Sequence, residues 1–114
     1  MTSGMSTVIY PVKDLAQAKT LYSKLLGVAP YVDAPYYVGF RVARLELGLD
    51  PHGHDQGQTA PVCFWEVDDI QEALKVLLDA GAEVQRAVSD VGGGKLIASV
   101  KDADGNVTGL MQTL

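Results

Sequence analysis

The chain carries one short unit twice. A β-rich run from Thr7 to Val12 is followed by Asp14, at the N-cap of a segment in which Leu15, Ala18, Leu21, Tyr22, Leu25 and Leu26 recur at helical spacing. Gly27 stands where a left-handed residue would close that helix. Further on, Val62 to Val67 is a second β-rich run, Asp69 a second cap, and Ile70, Ala73, Leu74, Leu77 and Leu78 a second apolar stripe, closed by Gly81. The copies superpose at an offset of 55 residues, which sets Val12 on Val67, Asp14 on Asp69 and Ala18 on Ala73. A single-residue deletion then brings Gly27 onto Gly81.

Three further β-like runs follow each helix. They are Tyr31 to Ala34, Tyr37 to Val42 and Arg44 to Leu49 in the first half, and Glu83 to Val88, Lys95 to Val100 and Asn106 to Gln112 in the second. The joints carry turn chemistry: Ala34-Pro35 in the first half, and Asp90 to Gly94 and Asp102 to Asn106 in the second. Each half reads βαβββ. The expected fold is therefore α+β, tandem βαβββ modules forming a curved mixed sheet around a cleft, because one helix per module covers only one face of its sheet. The expected organisation is a single domain over residues 1–114, with module 1 at about 7–49, a polar, glycine-rich linker at 50–58 and module 2 at about 60–114.

Composition narrows the class of partner. In 114 residues, 9 basic side chains face 14 acidic ones, a net charge of −5 and the wrong sign for tracking a phosphate backbone. No apolar run approaches the ~18 residues of a membrane span, and the start MTSGMSTVIY lacks the basic and apolar regions of a secretory leader. The expected setting is cytoplasmic, with neither nucleic acid nor membrane as partner. The single cysteine, Cys63, lies among apolar neighbours and reads as a small core hydrophobe.

The pieces VxYPVKDLAQAKTLYSKLLGV, FWEVDDIQEALKVLLDAGAEV and VKDADGNVTGLMQ, in this order from about Thr7 to Leu114, resemble the vicinal oxygen chelate superfamily. That group holds glyoxalase I, fosfomycin-resistance proteins, extradiol dioxygenases and bleomycin-resistance proteins. The resemblance implies a homodimer and, in metal-using members, one divalent ion held by side chains on the first and last strand of each half. Those positions fall here on Thr7, Glu46, Val62 and Gly109. Only Glu46 offers a good ligand, since valine and glycine side chains carry no donor, so the expected cofactor is none.

Strand alternation assigns the remaining faces. Thr7, Ile9, Pro11, Arg44, Glu46, Gly48, Val62, Phe64, Glu66, Val107 and Met111 should line an apolar, acidic cleft. Val8, Tyr10, Val12, Leu45, Leu47, Cys63, Trp65, Val67 and Leu110 should pack under the helices. Glu46 is singled out, because a carboxylate in an apolar concavity suits a general base or a cation-binding group; its plainer role is an ion pair with Arg44. Tyr31, Tyr36 and Tyr37 cluster around two prolines, where they suit stacking on flat ligands or subunit contacts. His52 and His54 are metal donors on a segment expected to be too flexible to fix a site, and Gly92 to Gly94 lacks the helix that a phosphate loop needs.

Three functions fit this reading. The first is a bleomycin-resistance-like protein that binds a small aromatic or cationic molecule without a metal. The second is a metal-independent, glyoxalase-like lyase or isomerase with Glu46 as general base. The third is a non-catalytic interaction or regulatory module, which a cleft packed by the protein's own Phe64 and Met111 would favour.

Overall fold

The computed structural model of the protein describes residues 2–114. Its elements are β1 (Thr2–Pro11), α1 (Leu15–Leu26), β2 (Val32–Ala34), β3 (Tyr37–Val42), β4 (Leu45–Asp50), β5 (Val62–Val67), α2 (Ile70–Asp79), β6 (Glu83–Asp90), β7 (Lys95–Lys101) and β8 (Val107–Thr113). The fold is α+β, with the βαβββ unit in tandem. The chain packs as two compact units, one spanning Thr7–Val62 and the other combining residues 2–6 with Cys63–Leu114.

In the first unit the strand order is β2-β3-β4-β1. β2, β3 and β4 run antiparallel, and β4 returns beside β1 in parallel, with Thr7 opposite Glu46 and Ile9 opposite Gly48. α1 starts where Asp14 Oδ1 accepts the Gln17 amide at 3.0 Å, and it ends at Gly27, whose φ of 69° is the left-handed cap that glycine supplies without a Cβ clash. Leu15, Ala18, Tyr22 and Leu26 pack on Val38, Phe40 and Leu49, which are almost wholly buried. Burying each of the larger side chains contributes roughly 1.5–3 kcal/mol. Leu21 and Leu25 were expected in this stripe but are exposed. Each lies one residue, or 100° of helix, before Tyr22 and Leu26, which rotates it off the packed face.

The second unit repeats the design. Its strands are ordered β5-β8-β7-β6, with β5 and β8 parallel and the rest antiparallel. Asp69 caps α2 through the Glu72 amide, and the Gln112 side chain on β8 accepts the Ile70 amide at 2.8 Å, a second tie for that helix end. Ile70, Ala73, Leu74 and Leu77 pack on Val67, Ala98 and Leu110. Leu78 is exposed, for the same angular reason as Leu25. Tyr10, Val12 and Leu47 in one unit, and Val67 and Leu110 in the other, take the helix side assigned to them by alternation.

Three boundaries differ from the sequence expectation. β1 begins at Thr2 rather than Thr7, a stretch whose small polar residues carry no apolar alternation; Thr2 Oγ1 donates to the Glu66 carbonyl at 2.6 Å. β4 begins at Leu45, so Arg44 belongs to a two-residue turn with Ala43, whose φ of 54° is left-handed. The polar segment after β4 is an ordered turn, with a short 3-10 helix over His54–Gln56 and Gln58 bonded to the Ile9 carbonyl. No helix among the described residues is long and apolar enough to cross a membrane.

Candidate functional site

The face of the first unit opposite α1 is set by the pairing of β3 with β4. Because Val42 pairs with Leu45 across the turn, Arg41 stands opposite Glu46 and Gly39 opposite Gly48, which puts Tyr37, Gly39, Arg41, Glu46 and Gly48 on one face. The register of β1 adds Thr7 and Ile9 to it, and Val32 and Ala34 join from β2.

Glu46 is the centre of this face, only 8% exposed. Its Oε1 accepts the Tyr31 hydroxyl and its Oε2 the Tyr37 hydroxyl. The Arg41 guanidinium lies 3.6 Å from Oε1 and, 4.8 Å from the ring centroid, over Tyr31. Both phenols are held protonated, with pKa above the ordinary tyrosine value, first by burial and next by the hydrogen bond to Glu46. The effect is largest at Tyr37; at Tyr31, Arg41 pulls the other way.

Two glycines make room for this arrangement. A Cβ on Gly48 would meet the Tyr37 hydroxyl and sit 2.6 Å from Ile9 Cδ1, and one on Gly39 would sit 3.0 Å from the Tyr37 ring. Tyr37 therefore lies across the sheet because the residues beneath it have no side chain.

The second unit holds the other group of expected site residues. Phe64 is paired with Gly109 and lies over it, in the space a Cβ would take, as Ile9 lies over Gly48 in the first unit. Met111 pairs with Glu66 and Ile97, and Phe64 and Met111 are both buried. The Glu66 carboxylate accepts Ser6 Oγ at 3.3 Å and the Thr113 amide at 3.1 Å, which ties the start of β1 and the end of β8 to β5. Val62 is buried, while Val107 is half-buried at the first position of β8.

The expected partner of Glu46 was Arg44, but Arg44 is exposed in the turn and Arg41 occupies that place. A strand face was assigned to Arg44 because β4 was started one residue early, which shifts every cross-strand pair. The signal that finds Arg41 is the period-2 series Tyr37, Gly39, Arg41 combined with a two-residue turn at Ala43-Arg44. Tyr31 and Tyr37 were expected as stacking aromatics; their bonds to Glu46 are a tertiary feature.

A divalent ion of the superfamily type does not fit these residues. Gly109 and Val62 provide no donor, and both oxygens of Glu46 already accept phenol protons. No group of three or more His, Cys, Asp or Glu among the described residues is arranged to hold a metal. His52 lies 3.8 Å from Asp55, and the Nδ1 of His54 is buried without a hydrogen-bond partner.

Comparison with known proteins places this geometry. The sequence profile of the Glyoxalase/Bleomycin resistance protein/Dioxygenase superfamily matches residues 4–110. No curated protein matches the chain. Among solved structures, a glyoxalase/bleomycin resistance protein/dioxygenase superfamily member from Vibrio splendidus superposes with a TM-score of 0.73 at 15% identity, over 95% of this chain and 97% of that one. Methylmalonyl-CoA epimerase from Mycobacterium tuberculosis gives 0.68 at 18% identity, over 99% and 89%. An NAD-dependent benzaldehyde dehydrogenase from Legionella pneumophila gives 0.77 at 17% identity, over 95% and 98%. At such identities the structural likeness speaks for the fold alone, while the sequence profile spans nearly the whole chain. The chain belongs to the glyoxalase/bleomycin resistance protein/dioxygenase superfamily.

Proposed function

We propose that this protein binds a small organic molecule without a catalytic metal, as a cytoplasmic homodimer, and that Tyr31, Tyr37 and Arg41 around Glu46 are part of the binding surface. One observation carries the reading: both oxygens of the Glu46 carboxylate accept tyrosine hydroxyls. A general base needs a lone pair aimed at a carbon acid, and hydrogen bonds to the charged form lower its basicity. Glu46 therefore serves to orient two aromatic rings, and the lyase or isomerase reading loses its catalytic group. Dimer formation agrees with the need of a small sheet protein to cover exposed edges.

The interaction-module reading draws support from the second unit, where Phe64 and Met111 are packed within the protein's own structure. Native mass spectrometry of freshly purified protein, with elemental analysis, separates the readings. The expected result is a dimer without a stoichiometric divalent ion, carrying or accepting an organic mass. A stoichiometric ion accompanied by glyoxalase-type turnover overturns the proposal, and a dimer that accepts no small molecule favours the interaction module.

A further inference from the structure

We infer that the ligand of this site is a planar aromatic carboxylate, gripped by the Arg41 guanidinium and stacked on the Tyr31 ring. The inference rests on the small-molecule reading above and follows from which charges at the site are already engaged. Glu46, the only carboxylate of the cluster, is buried and occupied by two phenols, so it has little to offer a cation. Arg41 is placed differently. Its side chain is 57% exposed, and its 3.6 Å approach to Glu46 is longer than a hydrogen bond, which leaves the guanidinium fork able to donate outward.

Geometry makes the pair of groups more than a surface arginine beside a surface ring. Tyr31 is held at its hydroxyl end by Glu46, and Arg41 is held over the ring, so a flat π surface and a two-pronged donor are presented together. Both remain accessible, Tyr31 being 49% exposed. On the neighbouring strand the same face carries only Val32 and Ala34, side chains without charge or bulk. A ligand ammonium would meet the like charge of Arg41, and a neutral flat molecule would stack but leave the fork unused. A flat anion engages both. The acidic overall composition, which suggested a cationic ligand, is thus reversed locally.

The test titrates the full-length protein at low salt with naphthoate, naphthamide and naphthylmethylammonium, which share one ring system and differ in charge. Naphthoate should bind about tenfold or more tighter than naphthamide, with the ammonium compound weakest. Arg41→Gln, a substitution at an exposed side chain, should lower naphthoate to the level of naphthamide and leave naphthamide unchanged. Arg41→Lys, which keeps the charge and loses the planar fork, should fall between. The inference is overturned if the ammonium compound binds as well as naphthoate, or if Arg41→Gln leaves naphthoate unmoved; in both cases small-molecule binding still stands. If none of the three binds, the small-molecule reading itself fails and this inference fails with it.

Discussion

Tyr37 is the residue at which packing and protonation are most closely joined. Its hydroxyl reaches Glu46 only because Gly39 and Gly48 leave the sheet bare beneath the ring, and burial then holds the phenol protonated above its ordinary range. In the unfolded chain a tyrosine ionises near pH 10. Above that pH the unfolded state binds fewer protons than the folded one, so stability falls as pH rises, by at most about 1.4 kcal/mol per pH unit for one such group. Tyr37→Phe should flatten this alkaline decline, measured by urea unfolding between about pH 9 and 11, while costing about 1 kcal/mol at neutral pH for the lost hydrogen bond. An alkaline slope identical to the wild type would mean that Tyr37 ionises alike in both states.

The device that seats Tyr37 recurs at the level of the strand. In each unit the strand parallel to the first one carries a glycine, Gly48 or Gly109, and a bulky side chain from the first strand, Ile9 or Phe64, lies over it. A sequence reader sees a glycine in a strand as a weakness, whereas here each marks a close approach. Gly48→Ala and Gly109→Ala should each destabilise by about 1–3 kcal/mol through overpacking. In Gly109→Ala the neighbour that must move is Phe64, so adding Phe64→Leu should recover part of the loss in thermal or urea unfolding. Additive effects of the two substitutions would show that the ring is not what the alanine meets. Turns show the same tie between local chemistry and fold. In the β7–β8 turn, Asp102 accepts the Asn106 side chain at 2.9 Å and its backbone amide, bonds that hold the Asp102 carboxyl below its usual range, chiefly through the Asn106 side chain.

At the scale of the whole molecule, each unit is closed by a parallel pair between strands far apart in sequence, Thr7 with Glu46 and Phe64 with Gly109. β4 is bonded on both sides, by β3 and β1, and β8 likewise by β7 and β5. Amide exchange should therefore be slowest in β4 and β8 and fastest in β2, a three-residue strand, and β6, whose pairing is interrupted by register shifts. Hydrogen–deuterium exchange followed by mass spectrometry or NMR reads this order directly, and protection of β6 equal to that of β8 would contradict it. Much of the architecture was legible beforehand, because Asp14 and Asp69, the glycine closures and the 3.6- and 2-residue periods are short-range signals fixed by backbone sterics and local hydrogen bonding. They determined two helices, the strands and their repetition, and the superfamily to which the chain belongs. The set of side chains around Glu46 was decided elsewhere. One residue of turn length moves Arg41 into the place expected of Arg44, and the space over Gly48 admits Tyr37; both depend on cross-strand register and three-dimensional volume, which no periodicity along the chain encodes.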